Sequence, residues 1–187
     1  MNDKHNDLHA HLGAFLFDTY RTHQQGDDVL EGTPARWTRA LREMTRGYEV
    51  DVAGLFRVFE HRCDELVIVR GIDFVSVCEH HLMPFMGRAT VGYIPQANKV
   101  VGLSKIARVV DAFAQRLQMQ ERMVQQIADA IEQHLQPKGV GVVAEATHTC
   151  MSCRGARKSG ASMLTSDLRG ALRDSAARAE FLSLART

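Results

Sequence analysis

The sequence has no uninterrupted apolar run long enough to cross a bilayer, so no membrane partner is expected. It also lacks a charge excess of either sign: 23 Lys and Arg against 22 Asp and Glu leave +1 at pH 7. A bulk nucleic-acid binder needs a cationic surplus to meet phosphates, so no nucleic-acid partner is expected. The start, MNDKHNDLHAH, lacks a signal-peptide layout. Four cysteines then do not suggest a disulfide framework, and a reducing, cytoplasmic setting is expected. Internal repeats and low-complexity tracts are missing too. What remains is ordinary for a soluble protein: 187 residues, 45% hydrophobic and 24% charged, enough for one domain or one domain with an appendage.

Apolar residues at Leu8, Leu12, Phe15, Leu16 and Tyr20 have helical spacing, so residues 6–24 read as an amphipathic helix. His5, His9, His11 and His23 fall in the same region and read as decoration of a solvated face. Gln24–Gly32 reads as a linker, which places a divergent N-terminal segment at 1–32 and the main domain at 33–187. Thr33-Pro34 has the form of a helix start, Thr at the N-cap and Pro at the first position, with Gly47 as the stop. Two strand-like runs follow, Leu66–Val69 with Phe74–Val77, and Arg88–Ile94. One helix is expected around Ile106–Leu117 behind a Ser104 cap, and a second around Met123–Leu135, closed by Pro137 and Gly139. Gly139–Cys150 alternates with period two, a further strand is expected around Ala161–Leu172, and a short helix from Asp174. The core order is ββααββ, an α+β plan with both helices on one face of an antiparallel sheet. The other face would then be uncovered, which favours oligomerisation.

Two segments carry chemistry: Cys78-Glu-His-His81 and His148-Thr-Cys150. Thiolate and imidazole are preferred zinc ligands, and Cys78 and His81 have a compact spacing. A lone C-x-x-H pair can equally be a buried Cys beside surface histidines. Cys150-x-x-Cys153 shifts the balance toward a metal, and spacing allows a closed Cys78, His81, Cys150, Cys153 structural site. A catalytic site needs three protein ligands and an open place for water. Spacing leaves both open.

The runs CEHHLMPFMGRATVGYIPQANKVVGLSKIARVV, FAQRLQMQERMVQQIA and GVGVVAEATHTCMSCRG closely resemble the GTP cyclohydrolase I family. TPARW upstream and TSDLRG with RAEFL downstream are similar to it as well, so the resemblance covers roughly Thr33 to Leu184. It implies a tunnelling-fold (T-fold) subunit in a toroidal homo-oligomer, typically a decamer. The implied reaction takes GTP and water to formate and 7,8-dihydroneopterin triphosphate, at the head of pterin and folate-type or deazaguanine biosynthesis.

By the same resemblance the zinc ligands are Cys78, His81 and Cys150, and the family places no ligand at Cys153. His148 and His80 match the acid/base histidines, whose intrinsic pKa suits proton transfer near neutrality. Ser104 matches a helper of proton transfer at the sugar. Glu121 matches the guanine-binding carboxylate, able to accept from N1–H and the exocyclic amine together, and Gln120 a neighbouring base contact. Outside the motif, Glu121 would read as an exposed acid in the first turn of a helix. Lys105, Arg108 and Arg154 match triphosphate-contacting positions, with Arg36 and Arg39 further candidates. Arg157, Lys158 and Arg169 are expected on a solvated face, and Met119 and Met123 in the core. Two rival readings are a non-catalytic T-fold module held by a Cys3His zinc site, and a T-fold nitrile reductase. The second needs a cysteine nucleophile and a nicotinamide site in place of CEHH and HxC.

Overall fold

The computed structural model describes residues 3–20 and 27–186, and the chain divides into two compact units, 1–44 and 45–187. The first unit holds α1 (Asp3–Tyr20) and α2 (Asp27–Met44), packed on each other. His9 and His11 are exposed on α1, while the side chain of His5 and all of His23 lie outside the described residues. The expected helix start at Thr33-Pro34 is overturned, because α2 begins at Asp27 and carries Pro34 inside it. Pro34, which has no N–H, forgoes one backbone bond inside the helix. The expected linker is therefore helical from Asp27, and residues 24–26 lie outside the described residues. The helix ends at Met44, and Gly47 is buried in a separate 3-10 turn, Arg46–Glu49.

The second unit begins with the single turn α3 (Val52–Leu55) and the short strand β1 (Val58–Glu60). Then come β2 (Val67–Cys78), β3 (Pro84–Ile94), β4 (Lys99–Val101) and α4 (Leu103–Ala114). The two-residue β5 (Leu117–Gln118), α5 (Gln120–Leu135) and β6 (Gly139–His148) follow. The chain closes with the single turn α6 (Thr149–Ser152), β7 (Met163–Gly170), a 3-10 turn over Ala171–Arg173, and α7 (Ser175–Ala185). The main sheet runs β5-β2-β3-β6-β7, antiparallel except for the parallel β2–β5 contact. The β2β3α4α5β6β7 sequence is the expected ββααββ order. The β1–β4 ribbon was not legible, since three-residue strands are too short to show a period.

The two strand-like runs before Val77 form one strand, β2, kinked by a bulge between Val69 and Ile72. Gly71 sits in that bulge with φ 65°, a backbone conformation glycine adopts without steric cost. Below it, Ile72, Phe74 and Cys78 face the helices, where Ile106, Val109, Val110, Met123, Ile127 and Ile131 complete the main core. The helical and two-residue periods therefore meet on one face, as the apolar pattern requires. Three local expectations fail. Ser104 is no cap, because Gly102 occupies that position and Ser104 lies in the first turn of α4. The strand expected to reach Cys150 stops at His148, and Cys150 lies on α6.

The third correction concerns the opposite sheet face, which is not bare. Phe181 of α7 is fully buried over Gly92 and Gly141; a Cβ on either would come within 2.7 and 2.8 Å of its ring. Glycine is what lets the helix approach. At the other end of this face Val75, Met86 and Leu164 stay exposed. No described helix is long and apolar enough to cross a membrane. Phe181→Ala is expected to cost about 3–5 kcal/mol, and Gly141→Ala about 1–3 kcal/mol by overpacking, read as shifts in the urea unfolding midpoint. Unshifted midpoints would contradict this packing.

Candidate functional site

The tight turn from β2 into β3 sets the first half of the site. Cys78 N–H donates to Met83 O at 2.8 Å and Leu82 N–H returns to Cys78 O at 2.9 Å. This turn brings Cys78 Sγ to 4.0 Å from Nδ1 of both His80 and His81. The second half arrives on β6. His148 pairs with Phe85, and the Thr149 hydroxyl donates to Pro84 O at 2.5 Å, which anchors α6 beside the turn. As a result the donor atoms of Cys78, His81 and Cys150 lie within 4.8 Å of one another. Among the described residues this is the one such His/Cys/Asp/Glu group, and Cys153 is outside it. Cys153 is exposed, at the end of α6, with its N–H on Thr149 O at 3.0 Å.

Burial pushes the Cys150 thiol up, and Cys78 beside it pushes the same way. Two neighbouring thiols cannot both ionise cheaply unless a cation joins them, and a divalent ion would reverse both effects. Two sulfurs and one imidazole suit a thiophilic metal far better than oxygen-seeking calcium or magnesium.

His148 is held on two sides. Its ring stacks on Phe85 with centroids 4.4 Å apart and planes 6° from parallel, and Nε2 lies 2.9 Å from Gln120 Oε1. Burial lowers its pKa, with the Glu121 carboxylate pulling back up, so the surroundings favour the neutral imidazole. Gln120 opens α5 and is itself buried. Its amide NH2 donates to Ala144 O (2.9 Å), Met163 O (2.9 Å) and Thr165 Oγ1 (3.0 Å). Glu121, the next residue, is exposed.

Sequence reasoning missed a polar bracket around these groups. Arg122 donates to the Glu79 carboxylate, and its Nε donates to Gln118 Oε1 at 3.2 Å. Glu79 N–H in turn donates to Gln118 O at 3.1 Å. The head of α5 is thereby tied to the turn that carries His80 and His81. Glu79 and Arg122 both stand inside quoted motifs, but nothing in their spacing pairs them. Phe85 and Thr165 gave no signal at all, because their partners are 63 and 45 residues away, on another strand and on a helix.

The remaining candidates are distributed unevenly. His80 is exposed in the turn, its Nε2 3.7 Å from Glu79 Oε1. Arg154 is exposed just after α6, close enough for its charge to act on Cys150. Of Ser104, Lys105 and Arg108, the first two lie in the first turn of α4 and the third one turn on. The C-terminal end of α4 leads into β5 beside Cys78, which leaves Arg108 about 9 Å and the Ser104–Lys105 end about 15 Å along the helix from it. That end is pinned where Val101 N–H donates to Tyr93 Oη, and Tyr93 pairs with Val67 at the far end of β2. Arg36 and Arg39 are exposed on α2, in the other unit, and Arg36 donates to Thr33 Oγ1 at 3.0 Å. Arg157 and Lys158 are exposed as expected. Arg169 is a correction: it is 18% exposed and bridges Asp167 of β7 to Asp129 and Glu132 of α5. These carboxylates hold its guanidinium firmly charged, and it staples helix to sheet.

The GTP cyclohydrolase I family profile matches residues 18–186, starting earlier than the resemblance seen in the motifs. The "GTP cyclohydrolase 1" of Gloeobacter violaceus is 51% identical over 83% of this chain and 73% of its own length. That of Nitrosospira multiformis is 49% identical over 83% of both chains. That of Coxiella burnetii is 47% identical over 84% of this chain and 86% of its own. Among solved structures, the archaeosine synthase QueF-Like in the apo form is similar with a TM-score of 0.49. It is 17% identical, over 58% of this chain and 97% of that one.

The three-donor group makes a distinction that metal analysis can read. Cys150→Ala is expected to retain well under one divalent metal per chain, and Cys153→Ala about one. Loss of metal from Cys153→Ala, with three sulfurs in the X-ray absorption of the parent, would mean a closed four-ligand site.

Proposed function

Since the chain belongs to the GTP cyclohydrolase I family, we propose that it converts GTP and water to 7,8-dihydroneopterin triphosphate and formate at a zinc site. The observation that carries this reading is the convergence of Cys78, His81 and Cys150 beside an anchored His148. Three donors suit a catalytic zinc better than a closed one, and Cys153 outside the group argues against the Cys3His module. Zinc held there would supply Lewis acidity and bring the pKa of water near neutrality.

The chain's own residues divide the remaining work. Glu121, exposed at the head of α5, accepts from guanine N1–H and the exocyclic amine. Adenine cannot offer that donor pair. His148 takes up and returns protons as the imidazole ring of guanine opens, a task suited to an imidazole whose surroundings favour the neutral form. His80, exposed in the turn beside Glu79, is the second proton carrier. Arg154 meets the triphosphate. A reducing, cytoplasmic setting suits a site that needs Cys78 and Cys150 as free thiols.

Ser104 and Lys105, in the first turn of α4 and away from Cys78, complete the site if a second copy supplies them, with Arg108 one turn further along the same helix. This separation supports a homo-oligomer with the site shared between copies, and the family resemblance gives a decamer.

Incubation with GTP should release formate and leave a pterin that fluoresces after oxidation; absence of formate from the metal-loaded protein would end this reading. Glu121→Ala should cost about 2–5 kcal/mol in kcat/KM for GTP. A loss of less than about threefold would remove Glu121 from the site. The shared site has its own test. His148→Ala and Lys105→Ala/Arg108→Ala chains, each nearly inactive, should regain about a quarter of the activity when co-assembled one to one. No regain would place all these residues in one chain's site.

A further inference from the structure

We propose that Gln120 is a positioning residue for His148, fixing the orientation and tautomer of its ring, and that its side chain does not contact the guanine base. The reading rests on the cyclohydrolase assignment above for its functional meaning, but its geometry stands without it.

An amide can face a histidine with either end, and the surroundings decide which. Here the NH2 end is claimed by Ala144 O, Met163 O and Thr165 Oγ1, all between 2.9 and 3.0 Å. The two carbonyls can only accept, so turning the amide over would set its oxygen against two other oxygens in a buried place. The oxygen end therefore faces His148 Nε2 at 2.9 Å. A carbonyl oxygen carries no proton, so the hydrogen of this bond sits on Nε2, which in the neutral ring puts the lone pair on Nδ1. Phe85 stacked on the ring restricts its tilt, leaving the Gln120 bond to set its rotation in the plane.

The same bonds leave nothing of the Gln120 side chain for a substrate. Both amide hydrogens are engaged, its oxygen holds His148, and the residue is 1% exposed. Its neighbour Glu121 is exposed on the same helical turn, which gives adjacent residues opposite tasks: Glu121 faces outward and Gln120 braces the site from behind. Thr165 on β7 joins this brace, so the position of His148 depends on strands on both sides of β6.

The test uses Gln120→Met, which keeps shape and removes the acceptor, in the metal-loaded protein. The expected result is a kcat lowered tenfold or more, a KM and an equilibrium Kd for GTP within twofold of the parent, and unchanged metal content. With 15N-labelled histidine, the His148 Nε2–H signal of the parent should lose its dominance in the variant. Thr165→Val, which removes one anchor of the amide, should lower kcat severalfold with the same KM, and decides the matter if Gln120→Met fails to fold. A raised Kd for GTP with kcat preserved would make Gln120 a base contact and overturn the proposal. So would an unchanged kcat, or a His148 that keeps Nε2–H dominant without Gln120. If the parent releases no formate, the cyclohydrolase reading fails separately. The labelled-histidine signal and the GTP Kd still judge Gln120.

Discussion

Val77 faces Pro84 across the β2–β3 turn, and Phe85 faces His148 across β3–β6. This register is the constraint on which the site rests. Side chains alternate along a strand, so a slip of one residue would turn Cys78 or His148 to the opposite face. The core on the helix side opposes such a slip, because Phe74, Phe85, Val142 and Ala144 would leave it together. The turn adds a local lock through the two Cys78–Met83 and Leu82–Cys78 bonds, and the Thr149 hydroxyl on Pro84 fixes α6 to the same corner. Metal donors far apart in sequence are thus held by ordinary sheet pairing.

Around helix α5, polar groups are joined in sets, of which the Gln120 amide is buried and the Arg122 and Arg169 pairs are partly exposed. The Gln120 amide, the Gln118–Arg122–Glu79 bracket and the Arg169 cluster each join α5 to a different part of the sheet or turn. A buried polar group without a partner costs free energy, and one with several partners resists displacement. Helix α5 is therefore held at its head by Gln120 and Arg122 and further along by Arg169. The exposed carboxylate of Glu121 sits on a helix end that has little freedom to move.

One chain nevertheless keeps its candidate groups apart. The metal donors and the head of α5 occupy one end of the sheet, while the first turn of α4 lies at the other. The outer sheet face is covered by α7 only in part, with Val75, Met86 and Leu164 left exposed. Both features support the proposed homo-oligomer, in which copies would complete one another's site and surface.

The ββααββ order and the helical faces of α4 and α5 were legible in the sequence, and spacing picked out Cys78, His81, Cys150 and Cys153 as candidate donors, with only the family resemblance setting Cys153 apart. Periodicity and short motif spacing are properties of neighbouring residues, and neighbours in sequence remain neighbours in space. The start of α2 was misread because Thr33-Pro34 satisfies the local form of a helix start, while helices are stabilised by packing along their whole length. Cys150 on a helical turn, Phe181 over Gly92 and Gly141, and the carboxylates around Arg169 were illegible. Each joins residues from different elements. The tertiary structure also decided which end of the Gln120 amide meets His148, since that depends on acceptors from β6 and β7. A local pattern names the residue types a site can use; only long-range register decides which atoms meet.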